Sequence, residues 1–468
     1  MRLSSSSNRV GAMTKDRVYF LGIGGIGMSA LARYFLHEGW QVAGYDRTAT
    51  DLTRRLEAEG ALVHYEDDIR LIPEAFLDKE RTVVVYTPAI PADHSEQAMF
   101  RAEGFEIKKR SQVLGLLSQG KYVMAVAGTH GKTSTSTLTA WLNHAVSGEG
   151  SAFLGGISKN FSSNLVQGEG DRFVVEADEF DRSFLQLYPD AAVVTSADAD
   201  HLDIYGTHEK MKEAFTQFIS QIKAGGVLII KKGVDVAITN DKISVYRYSY
   251  NEECDFYAKN VVLLEGGYYR YDIVTPTGVI EGCVLGIPGW VNIENSVAAV
   301  ALLWSVERNI ADHDALRKAL KEFSGVKRRF EFYVNTPTAV YMDDYAHHPR
   351  ELAATITSVK QMFPSRNVTA IFQPHLYTRT RDLYEEFAEA LNEADEVVLL
   401  PIYPARELPI EGITTEIIAN LVTKPCRIVE REELAQEIGK METDVVVSFG
   451  AGNIDACCEA IAKEVAAK

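Results

Sequence analysis

An apolar run from Val123 to Ala127 feeds directly into Gly128-Thr129-His130-Gly131-Lys132-Thr133-Ser134, and this junction constrains the chain more than any other stretch. It reads as a buried strand, a tight turn bracketed by two glycines, and the first residues of a helix. Backbone N–H groups at a helix N-terminus point at an anion, and the helix dipole favours negative charge there. Lys132 can then reach the outer phosphates of a nucleoside triphosphate, and the Thr133 hydroxyl can ligate Mg2+. The spacing is the short form G-x-x-G-K-T, because residue 126 is Val where the longer loop needs Gly. A structural glycine turn beside a solvated lysine is the bland alternative. The strand before and the helix after favour the phosphate site.

At 468 residues the chain exceeds what a single core accommodates. A net charge of −17 argues against a general nucleic-acid binder, which needs a basic excess to neutralise phosphates. Arg379, Arg381, Lys327, Arg328 and Arg329 could still form a local basic pocket. The five cysteines show no metal-ligand spacing and suit a reducing, cytoplasmic setting. No run reaches about 18 uninterrupted apolar residues, so no membrane insertion is expected. Residues 1–16 read as a Ser-rich disordered extension without the apolar centre of a signal peptide.

Short apolar runs alternate with helical patterns along the rest of the chain. This βαβ rhythm implies α/β folding with parallel sheets, restarted twice. Three tandem α/β domains follow: residues 17–117, 118–327 and 328–468. Within the second, the stretch from Cys254 to Leu285 is richer in Tyr, Val and Gly and suggests added antiparallel strands.

The first domain carries its own phosphate signal. Gly22, Gly24, Gly25 and Gly27 follow a strand and open a helix, which satisfies G-x-G-x-x-G in context. Asp46 closes the next strand 22 residues after Gly24, near the spacing of a ribose-binding acid. The loop itself needs only a diphosphate on a helix N-terminus. A dinucleotide or a nucleotide sugar would serve, and glycines needed only for close packing are the bland reading. A dehydrogenase would leave the second loop without use, and a phosphate-loop kinase does not need the first.

Glu176 ends the strand Arg172 to Val175 at the edge where parallel sheets bind ligands, and a carboxylate there suits Mg2+. Asp178, Glu179 and Asp181 fit a solvated loop equally well. His201 follows the next strand, among Asp198, Asp200 and Asp203, where it could ligate a second metal ion or touch a transferred phosphoryl group. Zinc is disfavoured, since no Cys or second His stands at ligand spacing.

In chain order the sequence presents Gly22 to Met28, Gly128 to Thr133, Glu176 to Glu179, Asp200 to Asp203, Asn292 to Asn295, Arg328-Arg329-Phe330, Asp343 to Pro349, and Gln373 to Arg381. Together these resemble the Mur ligase family, the ATP-dependent amino-acid ligases of peptidoglycan precursor synthesis, over roughly residues 17 to 460. The resemblance implies a Rossmann-like N-terminal domain for a UDP-linked substrate, a central phosphate-loop ATPase domain, and a Rossmann-like C-terminal domain that closes over the site. It implies ATP and Mg2+ as cofactors, with Lys132 on the β- and γ-phosphates, Thr133 and Glu176 on one Mg2+, and His201 on a second. Asn295 falls at the adenine contact and Arg329 at a phosphate-binding arginine. Tyr345, His347 and Arg379, with Arg381 beside them, fall where the family binds the amino acid and the acyl end of the nucleotide. Lys132, Glu176, His201, Arg329 and His347 are the implied catalytic set.

The pattern of the first loop resembles the alanine-adding branch. That branch implies ATP-driven joining of L-alanine to the lactyl carboxylate of UDP-N-acetylmuramate through an acyl phosphate, by a monomer or homodimer. The alternative within the family is the recycling ligase that attaches a tripeptide to the same nucleotide. Val291 stands where the family often has His. Phe215 and Thr216 stand where other branches carry a lysine modified to a carbamate, and that absence fits the alanine-adding branch.

Overall fold

The computed structural model describes residues 15–91, 93–200, 202–307, 310–405 and 407–468. They pack as two compact units, one holding residues up to Arg247 with Ala299–Ile310, the other Tyr248–Ala298 with Ala311–Lys468.

The first unit opens with β1 (Arg17–Leu21), α1 (Ile26–His37), β2 (Gln41–Tyr45), α2 (Asp51–Ala58), β3 (Leu62–His64), β4 (Thr82–Tyr86), α3 (Ser95–Ala102), β5 (Glu106–Lys109) and α4 (Arg110–Leu117). The strands form a parallel sheet in the order β3-β2-β1-β4-β5. Order reverses beside β1, the switch point where open α/β sheets bind ligands. Val18 to Leu21 and Val83 to Val85 are wholly buried, as strands covered on both faces must be. Of the segment expected as an extension, residues 1–14 lie outside the described residues. Lys15 is anchored, its Nζ donating to the carbonyls of Lys79 and Thr82 at 2.9 and 2.8 Å.

The same unit continues with β6 (Tyr122–Ala127), α5 (Lys132–Ser147), β7 (Ser151–Ser158), β8 (Ser163–Val166), β9 (Arg172–Glu176), β10 (Ala191–Val194), α6 (Leu202–Tyr205), α7 (His208–Ser220) and β11 (Val227–Lys231). These strands run β11-β10-β6-β9-β7-β8, with β8 alone antiparallel to its neighbour. The β7–β8 hairpin also docks on α1. Asn164 Nδ2 donates to Ile26 O and Ser29 Oγ at 2.5 and 2.9 Å, and Arg33 donates to Ser163 Oγ.

The remaining elements are β12 (Ser244–Ser249), β13 (Phe256–Leu263), β14 (Tyr269–Thr275), β15 (Gly278–Val284), α8 (Trp290–Glu307), α9 (His313–Glu322), β16 (Glu331–Asn335), β17 (Val340–Asp344), α10 (Pro349–Met362), β18 (Val368–Phe372), α11 (Tyr377–Leu391), β19 (Glu396–Leu399), α12 (Glu416–Ala419), β20 (Cys426–Ile428), α13 (Leu434–Lys440), β21 (Val445–Phe449) and α14 (Cys458–Ala466). In the second unit β13, β14 and β15 form an antiparallel meander where Tyr- and Val-rich segments were expected to add strands. The last sheet orders β16-β17-β21-β18-β19-β20 and is parallel except at β16. Its residues alternate between two cores: Val340 and Met342 enter one, Ala339 and Tyr341 the other. Among the described residues no helix is long and apolar enough to cross a membrane.

Candidate active site

Strand β6 runs between β10 and β9, with Ala127 opposite Val194 and Val126 opposite Glu176. The phosphate loop therefore leaves the sheet at its carboxyl edge with Glu176 alongside. Gly128 has φ +136°, and a Cβ there would lie 2.0 Å from Thr195 Oγ1, so no other residue fits. Gly131 caps α5 at φ +77°, which starts the helix at Lys132, and Ser134 sits half-buried in its first turn. The segment that follows β10 braces the loop. Ser196 Oγ accepts from the His130 N–H at 2.8 Å and from Thr129 Oγ1 at 2.9 Å, and His130 Nε2 lies 3.4 Å from Asp198 Oδ2.

Lys132 Nζ donates to Gly128 O at 2.7 Å and reaches the Glu179 carboxylate at 2.9 and 2.8 Å. Burial alone would lower the Lys132 pKa, but Glu179, Asp178 and Glu176 reverse that and hold the ammonium well above its ordinary range. Thr133 Oγ1 donates to Glu176 Oε1 at 3.1 Å, while Ser136 Oγ and the Gly155 N–H reach Oε2 at 3.4 and 3.1 Å. Gly155 makes room for this carboxylate, since a Cβ there would lie 2.3 Å from both of its oxygens. Hydroxyl and carboxylate oxygens converging at one point are a donor set that fits Mg2+.

The three acids after Glu176 are not a solvated loop. Glu179 is fully buried against Lys132, Asp178 Oδ2 lies 3.6 Å from Arg110 Nη2, and Asp181 Oδ2 is 2.9 Å from Lys109 Nζ. Sequence reading left Glu179 and Arg110 without roles, because their partners are far away along the chain. His201 lies outside the described residues. No group of three or more potential metal-ligating side chains gathers among the described ones.

At the first glycine loop the N–H groups of Gly22 and Ile23 both donate to Tyr45 O, at 2.8 and 2.9 Å. Asp46 turns back onto the loop, where Oδ2 accepts from the Gly24 N–H at 2.7 Å and Oδ1 from Thr48 N–H at 3.2 Å. The four glycines are not equivalent. A Cβ on Gly24 would meet Thr53 at 2.6 Å and one on Gly27 would meet Arg110 at 3.0 Å, while one on Gly25 finds nothing nearer than 3.5 Å.

The second unit gathers a separate cluster. Arg328 Nε is held by Asp343 Oδ2 at 2.9 Å, and Arg328 and Arg329 both lie over the Tyr345 ring, at 5.3 and 4.9 Å from its centroid. Asp344 accepts from the N–H groups of Phe330 and Ala346, and burial pushes its pKa up to about 6 against the pull of Arg329. His347 Nδ1 sits 3.0 Å from Tyr345 O, and its ring faces that of His375, 6.1 Å away. His348 is the N-cap of α10, in a capping box with Glu351. Arg379 is half-buried in the first turn of α11, whereas Arg381 is exposed and paired with its neighbour Asp382 at 2.7 Å. The expected basic pocket thus does not gather Arg381 with Arg328, which lies on Asp343. Asn295 Nδ2 points to Asn292 Oδ1 at 3.4 Å in the first turns of α8.

Two glycine loops at the carboxyl edges of successive parallel sheets, the second with a lysine and a hydroxyl–carboxylate pair, define a nucleotide-using α/β enzyme. Three family models match the chain in order: Mur ligase family, catalytic domain, over residues 17–122; Mur ligase middle domain over 126–303; and Mur ligase, glutamate ligase domain, over 328–452. The chain belongs to the Mur ligase family. It is 49% identical over 454 residues to the UDP-N-acetylmuramate–L-alanine ligase of Parabacteroides distasonis, covering 96% of this chain and 97% of that relative. The enzyme of the same name from Phocaeicola vulgatus is 47% identical, with 94% and 96% covered. Among solved structures, UDP-N-acetylmuramate-alanine ligase MurC from Thermotoga maritima superposes with a TM-score of 0.80 at 26% identity, covering 96% of this chain and 99% of that one. A murein peptide ligase from Psychrobacter arcticus shares the fold, with a TM-score of 0.69 at 20% identity and 96% and 98% covered.

Proposed function

We propose that this chain uses ATP to join L-alanine to the lactyl carboxylate of UDP-N-acetylmuramate in the cytoplasm, as a step of peptidoglycan precursor synthesis. The observation that carries the chemistry is the Thr133–Glu176 pair beside Lys132 on the phosphate loop, and 49% identity to an alanine ligase over 96% of the chain supports the choice of substrate. The first glycine loop receives the diphosphate of the UDP-sugar at the N-terminus of α1, with Asp46 holding the loop in shape. Lys132 and the α5 N-terminus receive the triphosphate of ATP. Thr133 and Glu176 are the residues that would hold Mg2+, whose charge offsets that of the phosphate oxygens; His201 is the candidate for a second ion.

The lactyl carboxylate attacks the γ-phosphorus, ADP leaves, and an acyl phosphate results. The alanine amine then attacks the acyl carbon, and phosphate departs from the tetrahedral intermediate. Lys132 stabilises charge on the transferred group during the first step. In this reading Arg329 binds phosphate, Asn295 the adenine, and Tyr345, His347 and Arg379 the amino acid and acyl end, with Arg381 at the margin.

Phosphate release from ATP with Mg2+ and UDP-N-acetylmuramate, with and without L-alanine, tests the proposal. Release that needs both substrates and yields a nucleotide heavier by one alanine residue is the expected result. Release with a tripeptide instead of alanine would move the chain to the recycling reaction. No release with either amine donor would overturn the ligase reading.

A further inference from the structure

The first glycine loop has no cation of its own. Residues 22–29 are Gly-Ile-Gly-Gly-Ile-Gly-Met-Ser, and the first turn of α1 carries no charged side chain. A diphosphate placed there would meet backbone N–H groups and a helix dipole alone, which is thin compensation for its charge. The structure supplies a cation from another element. Arg110, the first residue of α4, follows directly on β5, whose partner β4 lies beside β1, so it arrives at the same sheet edge as the loop.

Its guanidinium lies against the loop. Arg110 Cδ and Nη1 each fall 3.0 Å from where a Cβ of residue 27 would stand, and Cζ falls at 3.3 Å. A side chain at residue 27 would press the guanidinium back by a few tenths of an ångström. The other end of the guanidinium faces the segment after β9, with Nη2 3.6 Å from Asp178 Oδ2. That distance is an ion pair beyond hydrogen-bond length. The adjacent Lys109 differs, since its Nζ is hydrogen-bonded to Asp181 at 2.9 Å. Of the two neighbouring cations, Arg110 is the one whose head group lies against the loop glycine.

We propose that Arg110 is the diphosphate-binding cation of the UDP-sugar site, and that Asp178 is the internal anion that holds it until the diphosphate takes its place. The inference rests on the substrate reading above and adds a residue to it. A planar guanidinium offers paired donors that match phosphate oxygens. Asp178 also helps to hold the proton on Lys132, so the exchange touches both glycine loops.

The test is titration of UDP and of uridine, followed by NMR into the millimolar range, with the wild type, Arg110→Gln, Asp178→Asn and Lys109→Gln. Arg110→Gln is expected to weaken UDP by about 10- to 100-fold, the loss of charge-assisted hydrogen bonds, and to leave uridine unchanged. Asp178→Asn, by removing the competing anion, is expected to tighten UDP about two- to fivefold, and only where Arg110 is present. Lys109→Gln should leave the ratio of UDP to uridine affinity as it was. In turnover, Arg110→Gln raises KM for UDP-N-acetylmuramate with little change in KM for ATP. A general loss of structure would weaken both ligands together. An unchanged UDP-to-uridine ratio in Arg110→Gln overturns the assignment while the substrate reading stands. A wild type that binds no UDP overturns the substrate reading and this inference with it.

Discussion

Glu179 Oε2 lies 2.8 Å from Lys132 Nζ, with its own side chain fully buried. Removing one partner of a buried pair leaves the other uncompensated and costs about 3–5 kcal/mol, whereas neutralising both leaves no stray charge. Lys132→Ala should therefore lose turnover and unfold at lower temperature. The double variant Lys132→Ala with Glu179→Gln should recover most of the stability and none of the turnover. Thermal unfolding beside phosphate release separates the two effects. A single variant that melts like the wild type would show that the pair contributes nothing to the fold.

Gly155 and Gly25 give opposite expectations for one added methyl group. At residue 155 a Cβ would lie 2.3 Å from both Glu176 oxygens, whereas at residue 25 the nearest atom is 3.5 Å away. Gly155→Ala must push Glu176 off Thr133, and turnover should fall by about 100-fold or more as that carboxylate is misplaced. Gly25→Ala meets no such clash within the protein and should leave the Mg2+ dependence of the rate as it was. Steady-state rates at saturating Mg2+ and at low Mg2+ would show whether the Gly155 defect lies at the hydroxyl–carboxylate pair.

A pH effect follows from Glu96, which is fully buried in the first unit and accepts from Tyr19 OH at 2.7 Å. Burial raises its pKa to about 7, the Tyr19 hydrogen bond opposes this, and Asp67 adds to it. His64 and His94 are both pushed down by burial and bring no compensating charge near neutrality. A folded pKa above the unfolded one means that the folded state holds the proton more tightly. The associated stability is complete below the ordinary glutamate range and is lost as pH rises through about 7. Glu96→Gln keeps an acceptor for Tyr19 and removes the titration. It should be nearly neutral at about pH 5 and stabilising by about 1–3 kcal/mol at about pH 8. Denaturant unfolding at the two pH values measures the difference, and an equal offset at both would refute it.

What the sequence made legible was whatever announces itself locally. Strands β1, β4, β6 and β21 are continuous apolar runs buried on both faces, and each reads directly from its residues. Strand β3 has only three residues and an exposed Leu62, and β5 is Glu-Ile-Lys-Lys, so neither offers a pattern. Strand β7 contains Gly155-Gly156, which resembles a turn. It is a strand because it pairs with β9 and β8, and residue 155 is glycine because the Glu176 carboxylate occupies the space a side chain would need. The site divides in the same way. Lys132, Thr133 and Glu176 sit in motifs whose mechanics are written in sequence. Glu179 is 47 residues from Lys132, and Arg110 meets Gly27 only through the order of strands in the sheet.

The two adjacent histidines of the second unit, His347 and His348, are separated by what their side chains do. His348 is the N-cap residue of α10: its Nδ1 accepts from the Arg350 N–H at 3.3 Å, and Pro349 follows at the first helical position. The His347 ring lies instead beside Tyr345 O and the Glu351 carboxylate, at 3.0 and 3.6 Å, and edge-on to the ring of His375. Glu351 Oε2 accepts from the N–H groups of both histidines, at 3.0 and 3.3 Å, and fixes the backbone whichever side chain is present. His348→Ala should then cost about 1 kcal/mol of stability. His348→Asn, which restores a capping acceptor, should regain it, and both should leave KM for L-alanine near the wild-type value. His347→Ala should do the reverse, keeping stability while raising KM for L-alanine about tenfold, the loss expected from one good hydrogen bond to a charged group. Melting curves and alanine titrations on the three variants decide it, because a cap moves only the first and a substrate contact only the second.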